Sequence, residues 1–181
     1  MGSDTQPQQI SAPDQHVDEA HRRVERVVSR LREVGRSLAC AESLTGGRLA
    51  ATVVDVPGAS AVFRGGAVTY ATDTKATVLD VPVQLLTDRG PVDPEVAVAM
   101  ASGAATLFEA DLGVATTGVA GPDQQDGVAV GTVFTAVVDT VSGVSIVRGA
   151  SLTGDRAAIR QGSVGLALEM ILEALDAPHP A

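Results

Sequence analysis

The chain has 181 residues, with 13 Lys and Arg against 22 Asp and Glu, for a formal net charge of −9. That length suits one domain of roughly 160 residues plus a tail, large enough to bury about 70% of its unfolded surface without staples. Hydrophobic content of 45% excludes a disordered protein, one cysteine excludes a disulfide framework or a cysteine zinc site, and an acidic balance with only one Tyr, three Phe and no Trp argues against a nucleic-acid binder.

In chain order, residues 1–15 are polar and aperiodic and are expected to form a disordered tail, followed by one domain over 16–177. Val17, Ala20, Val24, Val27, Val28, Leu31 and Val34 recur at helical spacing over 16–34, and Gly35 fits the stop. The arginines between them, interleaved with Glu19, Glu25 and Glu33, form a solvated face. A short apolar run over 37–41 predicts a buried strand, with Cys40 a core residue. A helix over 46–54 follows, then a strand over 67–70 and a short helix from about Asp73. Pro94 at a first-turn position, with Asp93 as cap, predicts a helix over 94–107. Strands are expected over 112–116, 130–138 and 144–150, and a long helix over 155–175 capped by Asp155. The last two strands are close enough to form a hairpin, which makes the sheet mixed. The expected fold class is α/β, a three-layer sandwich with helices on both faces. No apolar run reaches the roughly 18–20 residues of a membrane span, and the opening residues have no signal-peptide pattern, so a cytoplasmic protein is expected.

Three features carry possible chemistry. The first is Ala41-Glu42-Ser43-Leu44-Thr45-Gly46-Gly47, at a strand-to-helix junction. Ligands of open α/β sheets collect at the carboxyl ends of strands, and a helix start offers unpaired N–H groups. Gly46 and Gly47 permit close approach, Ser43 could attack a carbonyl, and neighbouring N–H groups could hold the oxyanion. Equally, Ser43 or Thr45 could simply cap the helix. The second feature is Lys75, the only lysine among the 13 Lys and Arg residues. Burial and a first-turn position, if Thr72 or Asp73 caps its helix, would both make it a neutral base of the kind a serine needs; the alternative is a surface lysine paired with Asp73 or Asp80. The third is a pair of loops, Thr116-Thr117-Gly118-Val119-Ala120-Gly121-Pro122-Asp123 and Thr153-Gly154-Asp155-Arg156. Arg156 and Arg160, in the first turns of a helix, oppose its dipole unless an anion such as a phosphate docks there; otherwise they are exposed arginines near Asp155 and Glu169. Arg64 is a weaker candidate of the same kind. The histidines, His16, His21 and His179, do not suit a serine–histidine–aspartate triad. Asp93, Asp123 and Asp126 could gather a metal, but loop aspartates are usually turn-formers.

The first of these segments, the block from Tyr70 to Lys75, Gly90-Pro91-Val92, Thr117-Gly118-Val119-Ala120-Gly121-Pro122, Val130-Gly131-Thr132-Val133 and Gly154-Asp155-Arg156 occur in one order. Together they resemble the CinA family, specifically its carboxyl-terminal domain, also found as a stand-alone nicotinamide-nucleotide amidase (PncC type). The resemblance implies hydrolysis of nicotinamide mononucleotide to nicotinate mononucleotide and ammonia, with no metal or organic cofactor. It implies Ser43 as nucleophile, Lys75 as its base and Tyr70 as a positioning or proton-relay group. Thr117, Gly118 and Gly121 would line the site, Arg156 would hold the phosphate, and the chain would form a homo-oligomer. The family usually has Cys at Leu44, Asn at Thr72, Ser at Asp93 and Pro at Ala129. Thr72 thereby loses an amide that could contact substrate, and Asp93 adds negative charge near a phosphate. Two further readings follow: a silent module sensing a pyridine nucleotide, and an amidase or esterase acting on another phosphorylated substrate.

Overall fold

A computed structural model describes residues 18–177; the expected tail over 1–15, His16, Val17 and His179 lie outside these described residues. Helix α1 (Asp18–Glu33) packs Val24, Val27, Val28 and Leu31 into the core. It ends where Gly35 takes φ +65°, with Arg36 N–H donating to Leu31 O and Gly35 N–H to Arg32 O. That paired pattern needs the left-handed conformation glycine adopts freely.

Strand β1 (Leu38–Glu42) runs parallel to β2 (Phe63–Val68) on one side and to β3 (Leu112–Gly118) on the other. Strand β4 (Thr132–Asp139) is antiparallel to β3, and β5 (Ser145–Ser151) is antiparallel to β4. The order is β2-β1-β3-β4-β5. Helix α2 (Arg48–Val54) and a one-turn 3-10 helix (Ala59–Ala61) link β1 to β2. Helices α3 (Thr72–Leu79), α4 (Val83–Arg89) and α5 (Pro94–Leu107) link β2 to β3, and α6 (Arg156–Asp176) follows β5. The fold is α/β, a mixed sheet between two helical layers.

Strand alternation sorts the core. Leu38, Cys40, Leu112, Val114 and Val137 meet α1, α2 and α6, while Ala39, Ala41, Ala115 and Ala136 meet α3, α4 and α5. The second face is built from small residues, so α5 lies close to the sheet. A Cβ on Gly113 would stand 1.9 Å from Ala101 O, and one on Gly103 would stand 2.0 Å from Leu79 O. Such contacts seat α5 against the sheet and α3 against α5, which fixes where Lys75 enters the core.

Two boundaries differ from the sequence expectation. Strand β2 begins at Phe63, not near 67, because the Gly65-Gly66 pair is not a turn. Phe108 fills the space where a Gly65 side chain would be, and Gly66 lies against Ala50 and Cys40. Helix α4 has no counterpart in the apolar pattern, since only Leu86 is buried along it. No helix among the described residues is long and apolar enough to cross a membrane.

Candidate active site

Strand β1 lies between β2, reached by a crossover on one face, and β3, reached by a crossover on the other. The carboxyl ends of these strands therefore open a crevice at the point where chain direction across the sheet reverses. Ser43, Lys75, Pro91, Gly118, Gly121 and Arg156 are among its lining residues.

Alternation continues past the end of β1, so Glu42 turns toward α2 and Ser43 toward α3. Ser43 N–H still donates to Thr116 O at 3.0 Å, holding the residue in the line of the sheet. Across the crevice, Lys75 Nζ lies 3.2 Å from Ser43 Oγ and donates to Thr69 O at 2.7 Å. Lys75 is 1% exposed and has no carboxylate partner among the described residues. Burial pulls its pKa from 10.5 down to about 8. Ala71, not Thr72 or Asp73, precedes the first turn of α3, so Lys75 is the fourth helical residue. The cause of its depressed pKa is desolvation.

Neither Ser43 nor Thr45 caps α2. The Glu42 carboxylate does so, accepting from the N–H groups of Gly47 (2.9 Å), Leu49 (3.1 Å) and Ala50 (2.8 Å). Gly46 and Gly47 have φ +59° and +91°, a double left-handed turn suited to glycine, which brings the helix start back over Glu42. The Thr45 hydroxyl bonds that of Thr116 at 2.7 Å, so this fully buried side chain faces inward. Thr117 Oγ1 donates to Pro91 O at 2.6 Å, tying the Gly90-Pro91-Val92 wall to β3.

At the outer rim, Arg156 Nη1 donates to Gly121 O and its Nη2 to Tyr70 Oη at 3.0 Å. Tyr70 is 62% exposed, so its ring forms part of the mouth. Arg160 is directed elsewhere: Nε donates to Leu44 O at 2.9 Å and Nη2 to Thr45 O at 2.7 Å. Burial, then the nearby charges of Arg48 and Arg156, lower its pKa, while Tyr70 and the Glu42 carboxylate oppose that shift.

Six of the residues singled out as substrate contacts do not line the crevice: Thr45 and Arg160, which are directed into the loop and its carbonyls, and Arg64, Thr72, Gly46 and Gly47. Arg64, near the start of β2, donates to Phe108 O at 3.1 Å and belongs to the opposite end of the sheet. Thr72 is exposed in a surface groove with Asp73 and Thr87. Gly46 and Gly47 shape the turn without lining the crevice. Asp93 caps α5 by accepting from Glu95 N–H at 2.8 Å, away from the lining. Among the described residues, no three His, Cys, Asp or Glu side chains gather as a metal site would require. Two contributors went unassigned in the sequence. Glu42 was one, though its alternation with Ser43 was visible. Thr69 was the other; its carbonyl holds Lys75, and its buried hydroxyl has no partner among the described residues.

Comparison with known proteins agrees with this architecture. The family model for the CinA C-terminal domain matches residues 20–175. A CinA-like protein from Geobacter metallireducens is 49% identical over 139 residues, which is 76% of this chain and 33% of that protein. One from Frankia casuarinae is 46% identical over 135 residues, 75% of this chain and 31% of that protein. The chain thus spans about a third of the length of these curated relatives. Among solved structures, a competence-damaged protein (CinA) superfamily protein from Klebsiella pneumoniae matches with TM-score 0.83 at 32% identity, covering 87% of this chain and 98% of that one. A competence/damage inducible protein from Agrobacterium tumefaciens matches with TM-score 0.82 at 34% identity, covering 87% and 96%. With its motifs, its sheet order and this match in agreement, the chain belongs to the CinA family, as a form of its carboxyl-terminal domain.

Proposed function

We propose that the chain is a serine amidohydrolase that deamidates nicotinamide mononucleotide, with Ser43 as nucleophile and Lys75 as general base. The observation that carries this reading is the Ser43–Lys75 pair: 32 residues apart in sequence, 3.2 Å apart in space, with the lysine buried and its pKa near 8. A buried lysine without a carboxylate is costly to fold around, and a neutral amine beside a hydroxyl is what an activated serine requires.

In the proposed course, neutral Lys75 takes the Ser43 proton as Oγ bonds to the carboxamide carbon. The resulting oxyanion is received by the N–H group of Leu44, which lines the crevice and has no acceptor among the described residues. The C–N bond breaks as Lys75 returns the proton to the departing nitrogen, giving ammonia and an acyl ester on Ser43. Lys75 then deprotonates a water that attacks the ester, and Ser43 is regenerated as nicotinate mononucleotide leaves. Arg156, with donors at the crevice mouth, holds the phosphate; Arg156→Ala is expected to raise KM by about tenfold, read from initial rates. The departures from the family pattern at Thr72 and Asp93 lie off the crevice lining, which removes their support for a silent sensor. A cytoplasmic homo-oligomer that binds neither nucleic acid nor membrane belongs to the same reading.

The test is ammonia release from nicotinamide mononucleotide by the wild type and by Ser43→Ala. The reading expects release by the wild type and a loss of at least about 10³-fold in the variant. Calorimetric binding of the nucleotide without release would select the sensor, and release from other phosphorylated amides alone would select a different substrate.

A further inference from the structure

From Ser43 to Gly47, the chain engages its own N–H groups selectively. Ser43 N–H goes to Thr116 O, Gly46 N–H to Ser43 O, and Gly47 N–H to the Glu42 carboxylate. Only the N–H groups of Leu44 and Thr45 have no acceptor among the described residues. A planar trans peptide points its C=O and N–H in opposite directions, so fixing one fixes the other. Leu44 O belongs to the same peptide as Thr45 N–H, and Arg160 Nε holds that oxygen at 2.9 Å. Ser43 O belongs to the same peptide as Leu44 N–H, and Gly46 N–H holds it at 3.1 Å, inside the turn that Glu42 anchors. The guanidinium leaves no slack at Gly46, where a Cβ would stand 3.0 Å from Arg160 Nη2.

We propose that Glu42 and Arg160 are positioning residues for the Ser43 reaction: a carboxylate on the N–H side and a guanidinium on the C=O side of one loop lock its peptides so that the Leu44 N–H, at the crevice lining, stays aimed as an oxyanion donor. This inference rests on Ser43 being the nucleophile. It gives Arg160 a role apart from the phosphate. The carboxylate is 1% exposed and accepts three backbone donors, while the guanidinium takes two successive carbonyls, so each is committed to the loop. Pre-fixed donors give an oxyanion site its effect, because no reorganisation is required as charge develops.

A fluorophosphonate probe tests this without the nucleotide. Ser43 Oγ displaces fluoride at phosphorus, and the phosphoryl oxygen occupies the oxyanion position. Labelling of the full chain is followed by intact mass, and Ser43→Ala identifies the labelled residue. The wild type is expected to label at Ser43. Glu42→Gln and Arg160→Lys are expected to label about 100-fold and about tenfold more slowly. With nicotinamide mononucleotide, both variants are expected to lose kcat while KM stays within about twofold. Circular dichroism establishes that each variant is folded, and Arg160→Lys, at a partly buried position that keeps its positive charge, carries the test if Glu42→Gln does not fold. Labelling at the wild-type rate in a folded variant overturns the inference and leaves the Ser43 reading intact. A rise in KM for Arg160→Lys with unchanged labelling makes Arg160 a phosphate ligand and overturns its positioning role. No labelling of the wild type overturns both this inference and the reading beneath it.

Discussion

Asp139 and Lys75, buried at opposite ends of the sheet, are treated in opposite ways. At the amino end of β1 and β3, Asp139 is 2% exposed and its Oδ1 accepts three hydrogen bonds. Arg36 donates to it at 3.0 Å, and the N–H groups of Val141 and Ser142 at 2.9 and 3.1 Å. Burial alone would raise its pKa, but the hydrogen bonds from Ser142 and Val141 and the Arg36 charge outweigh that, and the pKa falls below its ordinary value. Beside it, Asp111 accepts from both the backbone N–H and the hydroxyl of Ser37. At the carboxyl end, Lys75 is buried to the same degree with only a carbonyl and a hydroxyl for company, and its pKa moves toward neutrality. A satisfied buried charge holds structure together. An unsatisfied one is a strained group whose discharge is available for chemistry.

The sharpest way to break this contrast is at Lys75. Lys75→Met is expected to abolish turnover, by about 10³-fold or more, and yet to stabilise the fold at pH 7 by about 1–3 kcal/mol, because a desolvated cation is removed. Lys75→Arg is expected to be as inactive, since arginine stays charged. Activity assays beside denaturant melts read both, and a Met variant less stable than the wild type would make Lys75 a structural residue. The mirror image is Asp139→Asn, expected to cost about 3 kcal/mol in the same melts while kcat per folded molecule is unchanged, since it leaves the partly buried Arg36 without its charged partner. A fall in kcat would mean the two ends are coupled.

The pH dependences differ in sign and window. Asp139, with a depressed native pKa, contributes stability that is present above its unfolded pKa of about 3.9 and is lost as pH falls through the lower native value. Lys75 acts at the other extreme. Between about 8 and 10.5 the unfolded chain holds a proton that the native chain has released, so stability climbs with pH across that window. Activity should rise about tenfold per pH unit below 8 and level off above it, checked by kcat/KM at a series of pH values.

Much of this was legible in the residues. The sole lysine stood out in a chain that uses arginine as its ordinary cation, and Ser43 stood at a strand-to-helix junction. Their meeting was implied by the family resemblance alone and not by local spacing, because it depends on α3 being seated by the small-residue face of α5. Arg64 was misplaced for a definite reason. Gly65-Gly66 looks like a turn, which would put the arginine in a loop, whereas β2 already runs through it and carries it to the opposite end of the sheet. The cap of α2 was not legible because its acceptor, Glu42, sits five residues before the Gly47 it reaches, beyond the local spacing of ordinary caps. Arg160 was expected to meet an anion, but its fork holds the Leu44 and Thr45 carbonyls and it does not line the crevice, which spacing along α6 does not reveal.

In the proposed reaction Lys75 is a base poised near neutrality, and the chain offers a direct reading of it. Because Lys75 is the only lysine, selective isotopic labelling of lysine gives one side-chain signal in an NMR titration, with no assignment needed. A titration midpoint near 8 is expected, shifted by the loss of solvent around the amine. A midpoint above 10, that of an ordinary solvated lysine, would contradict it and remove the base from beside Ser43.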